Sequence, residues 1–203
     1  MSLLAAAVDA AGGMRRWEEI STIDLRFRCG GIAMPTKGQP DAIRRVHATI
    51  DTRRPHVELH GLGTFDADDQ RPCHMARRLR WKTADVVHFT GYAIWGYIGA
   101  PFIFAREDFA VRELSGRRLR VDFPQTIPTH CTRQTFHFDH DALLTRLDYT
   151  AEPVFGKLAR AQHRCYEYRE LSGLLVSTRR RVTPRGLPAP LLVSIDIDDL
   201  AAA

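Results

Sequence analysis

The chain has 203 residues, 44% of them apolar, and its 29 lysines and arginines against 24 acidic residues give a net charge of +5. This length and apolar content predict a single folded domain over residues 1–203 and exclude a disordered chain. The arginines occur as scattered pairs near acidic residues rather than as one basic stripe, so we predict no nucleic-acid partner.

The N-terminal residues and the cysteines bear on the cellular compartment. Met1–Gly13 lacks the basic start of a secretory signal, and no apolar run approaches the ~20 residues that span a bilayer. We therefore predict a cytoplasmic protein without stable membrane insertion. The chain has no CxxC motif, and we expect its four cysteines to be reduced thiols: Cys29, Cys73, Cys131 and Cys165.

The first 82 residues read as a short helical segment followed by strands. Within an N-terminal helical segment over 1–17, a helix is predicted over 2–11, where apolar residues share one face and two glycines follow, and a second turn is predicted over 14–17. Alternation of apolar and polar residues then predicts strands over 23–29, 42–50 and 56–60. A polar loop is predicted over 61–72 and another strand over 73–81.

One segment carries a strong helical pattern. Thr83–Gly99 starts with a capping residue, has Asp85 in its first turn and ends before Pro101. Because it is apolar nearly all round, we predict a central helical unit over 83–104 that is buried on several sides. Three glycines in it are expected to allow the close approach of a sheet or a ligand: Gly91, Gly96 and Gly99.

The C-terminal half consists of alternating runs joined by short turns, which is typical of antiparallel hairpins. With about nine strands and one buried helix, the predicted fold class is α+β. We expect a strongly curved antiparallel sheet or partial β-barrel wrapped around the central helix. The predicted hairpin runs are 109–114, 117–123, 129–138, 143–150, 162–171, 174–182 and, after a loop, 191–197.

The hairpin over residues 129–150 allows a finer prediction. If residue 138 pairs with residue 143, Arg133 lies opposite Asp148 on a solvated face. The other face then points inward, although it carries an imidazole, an amide and a phenol. Its members are His130, Thr132, Gln134 and Phe136 on one strand and Thr145, Leu147 and Tyr149 on the other.

These inward polar groups are one set of candidate site residues. Either they satisfy one another's hydrogen bonds inside a core, or they face a ligand cavity. As catalytic candidates we take His130, Gln134 and Tyr149, together with His88 on the helix, since a histidine titrates near neutral pH. As ligand-binding candidates we take apolar and aromatic side chains, which also have the alternative of being ordinary core: Tyr92, Trp95, Phe89, Phe136 and Leu147.

A third set of residues raises the question of a metal. His56, Glu58 and His60 project from one face of a single strand, where two of them are close enough to share an ion. The alternative is a polar solvent face, and no second ligand motif accompanies them. We therefore predict no metal and no cofactor, since nucleotide-binding motifs are also missing from the sequence.

From Trp81 onward the sequence resembles a family of uncharacterised bacterial proteins common in actinobacteria. The strings that carry this resemblance are FTGYAIWGYIGAPF, LRVDFPQTIPTHCTRQTFHFDHDALLTRLDY, STRRRV and LLVSIDID. The hairpin string QTFHFDHDALLTRLDY is also similar to hairpins of LolA/LppX-type lipoprotein carriers. That resemblance implies a LolA-like or lipocalin-like architecture, in which a curved sheet over helices holds acyl chains in its concavity.

Two functions from different classes follow. The first is binding of an apolar small molecule, such as a lipid or polyketide-like metabolite, in a cavity between sheet and helix. The second is a cofactor-independent cyclase, isomerase or hydrolase of specialised metabolism that uses the same cavity. The sequence does not decide whether the protein is an enzyme, and it leaves open both a homodimer and an interaction module without a small ligand.

Overall fold

The computed structural model describes residues 1–69 and 75–203, and these contain five α-helices and eleven strands. Two 3-10 turns cover Met75–Arg77 and Phe102–Ala105. The helices are α1 (Leu3–Ala10), α2 (Met14–Glu19), α3 (Ala33–Thr36), α4 (Thr83–Gly99) and α5 (Glu152–Phe155).

All eleven strands form one antiparallel sheet, in the order β4-β3-β2-β1-β11-β10-β9-β8-β7-β6-β5. The sheet is not closed, because β4 and β5 lie at its two edges. The strands are β1 (Thr22–Gly30), β2 (Val46–Asp51), β3 (His56–Leu59), β4 (Gly63–Asp66), β5 (Ala110–Leu114), β6 (Arg118–Asp122), β7 (Arg133–Phe138), β8 (Leu144–Thr150), β9 (Arg160–Leu171), β10 (Leu174–Pro184) and β11 (Val193–Ala202).

The first third of the chain differs from the sequence prediction in three places. Edge strand β4 lies where a loop was predicted, because its backbone pairs with β3 although its own side chains alternate weakly. The strand predicted over 73–81 is wrong for its described residues, which form the 3-10 turn. Residues 73 and 74 lie outside the described chain. Residues 42–45, predicted as strand, precede β2.

Helix α4 ends where its sequence indicates, but its N-cap residue is Lys82 rather than Thr83, which is the first helical residue. The Asp85 carboxylate accepts the backbone N–H of Lys82 at 2.8 Å, which satisfies a donor at the helix start. The helix ends before Pro101, which cannot continue it. Most of its side chains are buried, and it packs on β3 and β4. At Gly91 an added Cβ would collide with Phe65 of β4, so this glycine permits the close approach.

Alternation gives the sheet two distinct faces near its β4 edge. Leu25, Ala48 and Leu59 are buried on neighbouring strands β1, β2 and β3. The residues next to them in sequence, such as Asp24 and His47, point to the opposite face and are only partly buried. Polar chemistry on that outer face is therefore separate from the interior that faces α4.

No helix among the described residues is long and apolar enough to cross a bilayer. Cys29, Cys131 and Cys165 are free thiols, whereas Cys73 lies outside the described residues. Burial raises the pKa of the Cys29 thiol to about 12, so this thiol is protonated at neutral pH.

Candidate functional site

A cluster of aromatic and polar rings lies between α4 and the loop that precedes β7. Each ring nitrogen of His130 forms a hydrogen bond with a tyrosine hydroxyl. The Tyr92 hydroxyl is 3.1 Å from Nδ1, and the Tyr97 hydroxyl is 2.6 Å from Nε2. Tyr149 of β8 stacks on the imidazole with ring centroids 4.4 Å apart, and its hydroxyl is 3.4 Å from that of Tyr97. Helix α4 thus contributes two tyrosines, one turn and a half apart, to the same histidine.

Burial keeps this cluster uncharged. It lowers the pKa of His130 to about 3, because the imidazolium would lose its hydration. Burial, with the neighbouring tyrosine Tyr149, raises the pKa of Tyr97 well above its usual value, and burial also raises that of Tyr149. The cluster therefore offers neutral hydrogen-bonding groups at pH 7 rather than a proton donor and acceptor poised near neutrality.

Two further polar side chains are buried beside the cluster without complete pairing. His163 of β9 is fully buried, its ring meets that of Tyr97 edge-on at 4.5 Å, and neither ring nitrogen has a partner among the described residues. Arg180 of β10 is 4% exposed; its Nη2 donates to the Tyr97 carbonyl at 3.2 Å, while Nη1 has no described partner. Buried polar atoms in proteins are nearly always paired, so these are unusual.

The pKa of His163 is lowered by its buried surroundings. Burial, then the positive charge of Arg180 and then His130, lower the pKa of His163 well below its usual value. His163 is therefore neutral at pH 7, and Arg180 carries the cluster's positive charge. Since a buried charge is normally paired, an acceptor at the free Nη1 would gain a charge-assisted hydrogen bond.

Small cavities flank Tyr97 on both sides. A cavity of about 30 Å³ borders Arg180 and Ser177 and is otherwise mainly apolar, with walls from α1, Pro101 and Phe102. A cavity of about 10 Å³ lies beside Gly96 and His130. Each has room for a water-sized group. The expected wide hollow is thus replaced, in the described conformation, by side chains that fill most of the space.

A larger open groove continues from the first cavity at the surface. Its volume is about 570 Å³, and it is lined by α2, by residues 102–106 and by the end of β2. Phe102 forms a wall of both the groove and the 30 Å³ cavity, and its ring stacks on Trp17 at 4.6 Å. Phe102 therefore belongs to the walls of both the open groove, which also has charged side chains, and the cavity beside Arg180.

The structure brings most of the sequence-predicted site residues to the second cavity. Gln134 is buried there but already donates to the Thr129 hydroxyl and the Cys131 carbonyl. Phe89 lies outside the cavity lining, with its ring 5.5 Å from that of His130. The predicted residues that line the cavity are Tyr92, Trp95, His130, Gln134, Phe136 and Leu147.

His88 lies apart from this group. Its ring packs edge-on against Phe65 at 5.5 Å and against Tyr92 at 5.6 Å, on the side of α4 that faces β4. Tyr92 stands between His88 and His130, and His88 lines neither interior cavity. The four predicted catalytic residues therefore do not meet at one point.

The predicted register of the β7–β8 hairpin is wrong by two residues. Thr135, rather than Arg133, lies opposite Asp148, and a bulge between His137 and Phe138 absorbs an extra residue. Asp148 is buried and pairs with His137 at 3.0 Å and Arg146 at 2.9 Å. Because the shift is even, the inward assignment of Phe136 and Leu147 survives. After the bulge the alternation changes, so that the predicted inward residue at position 145 is exposed.

Sequence reasoning missed His163 and Arg180 as site residues, and it placed Tyr97 only among aromatic side chains that are either core or pocket wall. Alternation carries the signal for the two missed residues: His163 stands between Ala161 and Cys165 on the apolar face of β9. Arg180 sits two residues before buried Val182, on the same face. The burial of Arg180 was not predicted, because three consecutive arginines such as Arg179–Arg181 usually indicate a solvated segment.

The metal hypothesis for one strand face is wrong in its choice of ligands. His56 is held by Asp66, with Nδ1 2.7 Å from the carboxylate, and does not converge with His60. His60 instead joins Asp24 and His47, and one ligand atom from each lies within 4.8 Å of the others. Glu58 remains near, with its carboxylate 3.4 Å from His60 Nδ1.

The solved structures that match this chain include the following two. A DUF1329 family protein from Desulfovibrio piger has a TM-score of 0.48 and 12% identity, over 100% of this chain and 94% of that one. A LolA superfamily protein from Nitrosomonas europaea has a TM-score of 0.44 and 12% identity, over 94% of this chain and 91% of that one. No family model matches the chain, and no curated protein matches it either.

Proposed function

We propose that the protein binds a small amphipathic molecule, with an apolar body and a carboxylate head, between α4 and a sheet that curves around it. The observation that carries this proposal is the buried guanidinium of Arg180 beside a mainly apolar cavity: it bonds to backbone carbonyls only, and its Nη1 has no partner among the described residues. A carboxylate is the group that an arginine fork binds best, in a buried site above all.

Contacts from distant strands support the curvature. Phe65 of edge strand β4 packs against Gly91 of α4, whereas Tyr149 of β8 reaches Tyr97 of the same helix. Strands β4 and β8 are seven spacings apart in the sheet, or about 34 Å along a flat sheet. A helix is only about 10–12 Å wide, so the sheet bends around it.

The apolar body of the ligand has a route from the groove at α2. Moving the Phe102 side chain joins the groove to the cavity beside Arg180, and the combined volume lies within the range of about 300–1,000 Å³ that small-ligand sites have. Helix α1 walls that cavity with Ala7 and Ala11, which are small side chains. A short helix held by small residues is displaced at lower cost than a strand of the sheet.

Tyr97 and His163 supply specificity for the head. The Tyr97 ring lies against the guanidinium, and the His163 ring lies edge-on to that of Tyr97. The two ring nitrogens of His163, which have no partner among the described residues, give a neutral donor and a neutral acceptor. Beyond Tyr97, the second cavity and its lining residues Tyr92, Trp95, Phe136 and Leu147 form an extension for a longer molecule. The enzyme alternative lacks a comparable observation, because the pKa values in the His130 cluster lie far from neutral pH.

The experiment compares decanoate with decan-1-ol on delipidated protein by calorimetry. We expect decanoate to bind at least about tenfold more tightly than the alcohol, because only the carboxylate completes the charge-assisted pairing. Arg180→Met abolishes this difference. The matched control is Arg181→Met, since the neighbouring Arg181 pairs with Asp196 at 2.7 Å on the other face.

Two outcomes would overturn the proposal. One is a wild-type protein that binds neither probe or binds both equally. The other is an Arg180→Met variant that keeps the preference for decanoate while circular dichroism shows it folded. If Arg181→Met loses the preference as well, the carboxylate is bound on the outer face, which also contradicts the interior site.

A further inference from the structure

A histidine-rich cluster on the outer face of the sheet is independent of the interior site. Asp24 of β1, His47 of β2 and His60, which directly follows β3, come from three neighbouring chain segments. One ligand atom of each lies within 4.8 Å of the other two. All three side chains are on the face opposite Leu25, Ala48 and Leu59, which are buried on the interior side.

We propose that Asp24, His47 and His60 bind a zinc ion at the surface of the sheet, with water as the fourth ligand. Two imidazoles and one carboxylate are a donor set that zinc takes in proteins, in tetrahedral geometry with bonds of about 2.0–2.2 Å. Such bonds place neighbouring ligand atoms about 3.3 Å apart. His47 Nε2 lies 2.7 Å from the Asp24 carboxylate and its ring stacks on that of His60, so binding requires side-chain rotations that turn both imidazoles toward the ion.

The backbone holds the three segments in position. His60 donates its backbone N–H to the carbonyl of His47 at 2.9 Å, which makes the two histidines cross-strand neighbours. Their rings lie parallel within 28°, with centroids 4.1 Å apart. Asp24 lies opposite Thr49, two residues from His47 along β2. Since the sheet fixes the Cα positions, only side-chain torsions need to change on binding.

Two neighbours orient His60 for a metal. The Glu58 carboxylate lies 3.4 Å from Nδ1, and the Thr49 hydroxyl lies 2.9 Å from Nε2. A carboxylate on the far nitrogen of a ligating histidine fixes its tautomer and raises its basicity. Glu58 is thus a positioning residue, and it leaves Nε2 as the nitrogen that is available to the ion. Thr49 hydrogen-bonds to His60 Nε2 until the ion replaces it.

The chain provides an internal contrast in the β7–β8 turn. Asp139, His140 and Asp141 also lie close together, but they are consecutive in sequence and His140 is 88% exposed. The Asp139 carboxylate is occupied by the backbone N–H groups of Asp141 and Leu143. This turn therefore serves as the control for nonspecific binding by an exposed His/Asp group.

The test is calorimetric titration of the full chain with zinc chloride. We expect one equivalent to bind to the wild type, with at least about tenfold weaker affinity in His60→Ala and His47→Ala, and about tenfold weaker in Glu58→Gln. His140→Ala leaves the affinity unchanged. Exposed side chains are altered in each case, so circular dichroism should show the same fold throughout.

Three results would overturn the proposal. The first is binding of less than a tenth of an equivalent of zinc by the wild type. The second is a zinc affinity that His60→Ala and His47→Ala leave unchanged. The third is a loss of zinc affinity in His140→Ala as large as that in His60→Ala. Arg180→Met should bind zinc normally, which separates a failure of this site from a failure of the interior one.

Discussion

The two halves of α4 bury polar groups in opposite ways. In the first half, Asp85 is fully buried, pairs with Arg78 at 2.8 Å and caps the helix, and Gly91 is covered by Phe65. In the second half, Arg180 packs on Tyr97 with an unpaired nitrogen, and an added Cβ at Gly96 would meet no atom within 4 Å. The first half is built for stability, whereas the second retains space and unused hydrogen-bonding capacity.

Lowering the pH should have the largest effect on folding stability, through the two buried histidines beside the second half of α4. The pKa of His130, about 3, and that of His163 lie below the unfolded value of about 6.5, so protons bind the unfolded chain first as the pH falls. The contribution of these histidines to stability is complete above pH 6.5, and that of His130 decreases below it by about 1.4 kcal/mol per pH unit. At pH 5 the loss from His130 is about 2 kcal/mol, to which His163 adds in the same direction, as urea unfolding should show.

A matched pair of variants checks the origin of the acid effect. His163→Leu should show about half the loss of the wild type between pH 6.5 and 5, whereas His140→Ala, exposed in the β7–β8 turn, should show all of it. An equal loss in His163→Leu and in the wild type would mean that His163 is hydrated in solution.

Removing one charge from each half should have effects of different size. Asp85→Ala should cost about 2–3 kcal/mol, because Arg78 and the Lys82 N–H both lose their acceptor. Arg180→Met should change stability by less than about 1 kcal/mol, since an apolar side chain of similar length replaces an incompletely paired charge. Equal losses in urea unfolding would show that the guanidinium is a structural element.

Alanine substitutions of Gly91 and Gly96, one in each half of α4, should change stability by smaller amounts and in opposite directions. Gly91→Ala forces Phe65 or the helix to move and should cost about 1–3 kcal/mol. Gly96→Ala meets no neighbour and should stabilise the helix by up to about 1 kcal/mol. Melting temperatures that fall by the same amount in both variants would contradict the space beside Gly96.

Much of the strand assignment was predictable because alternation is a local property. The strands at 22–30, 56–59 and 144–150 follow from apolar residues at every second position. Helix α4 follows from its length, its Asp85 and the proline after it. The register of the β7–β8 hairpin was not predictable, because the bulge after His137 depends on how Phe138 packs rather than on the turn sequence.

The site was predictable only in part. Gln134 and Tyr149 are buried as the period of their strands predicts, whereas His130 is buried in the loop before β7, where alternation does not set its direction. The partners of these residues were not predictable, since Tyr97 comes from α4 and Arg180 from β10, far along the chain. The grouping of His60 with Asp24 and His47 instead of His56 likewise depends on which strands are neighbours in the sheet.

By itself, the sequence determined the antiparallel class, the long helix and the face on which most strand residues lie, because these depend on contacts within a few residues. Only the tertiary structure decided which distant side chains meet. Among the described residues it gave Arg180 no acidic partner, and it put two histidines beside Asp24. Strand order and packing fix such neighbours, and no local pattern encodes them.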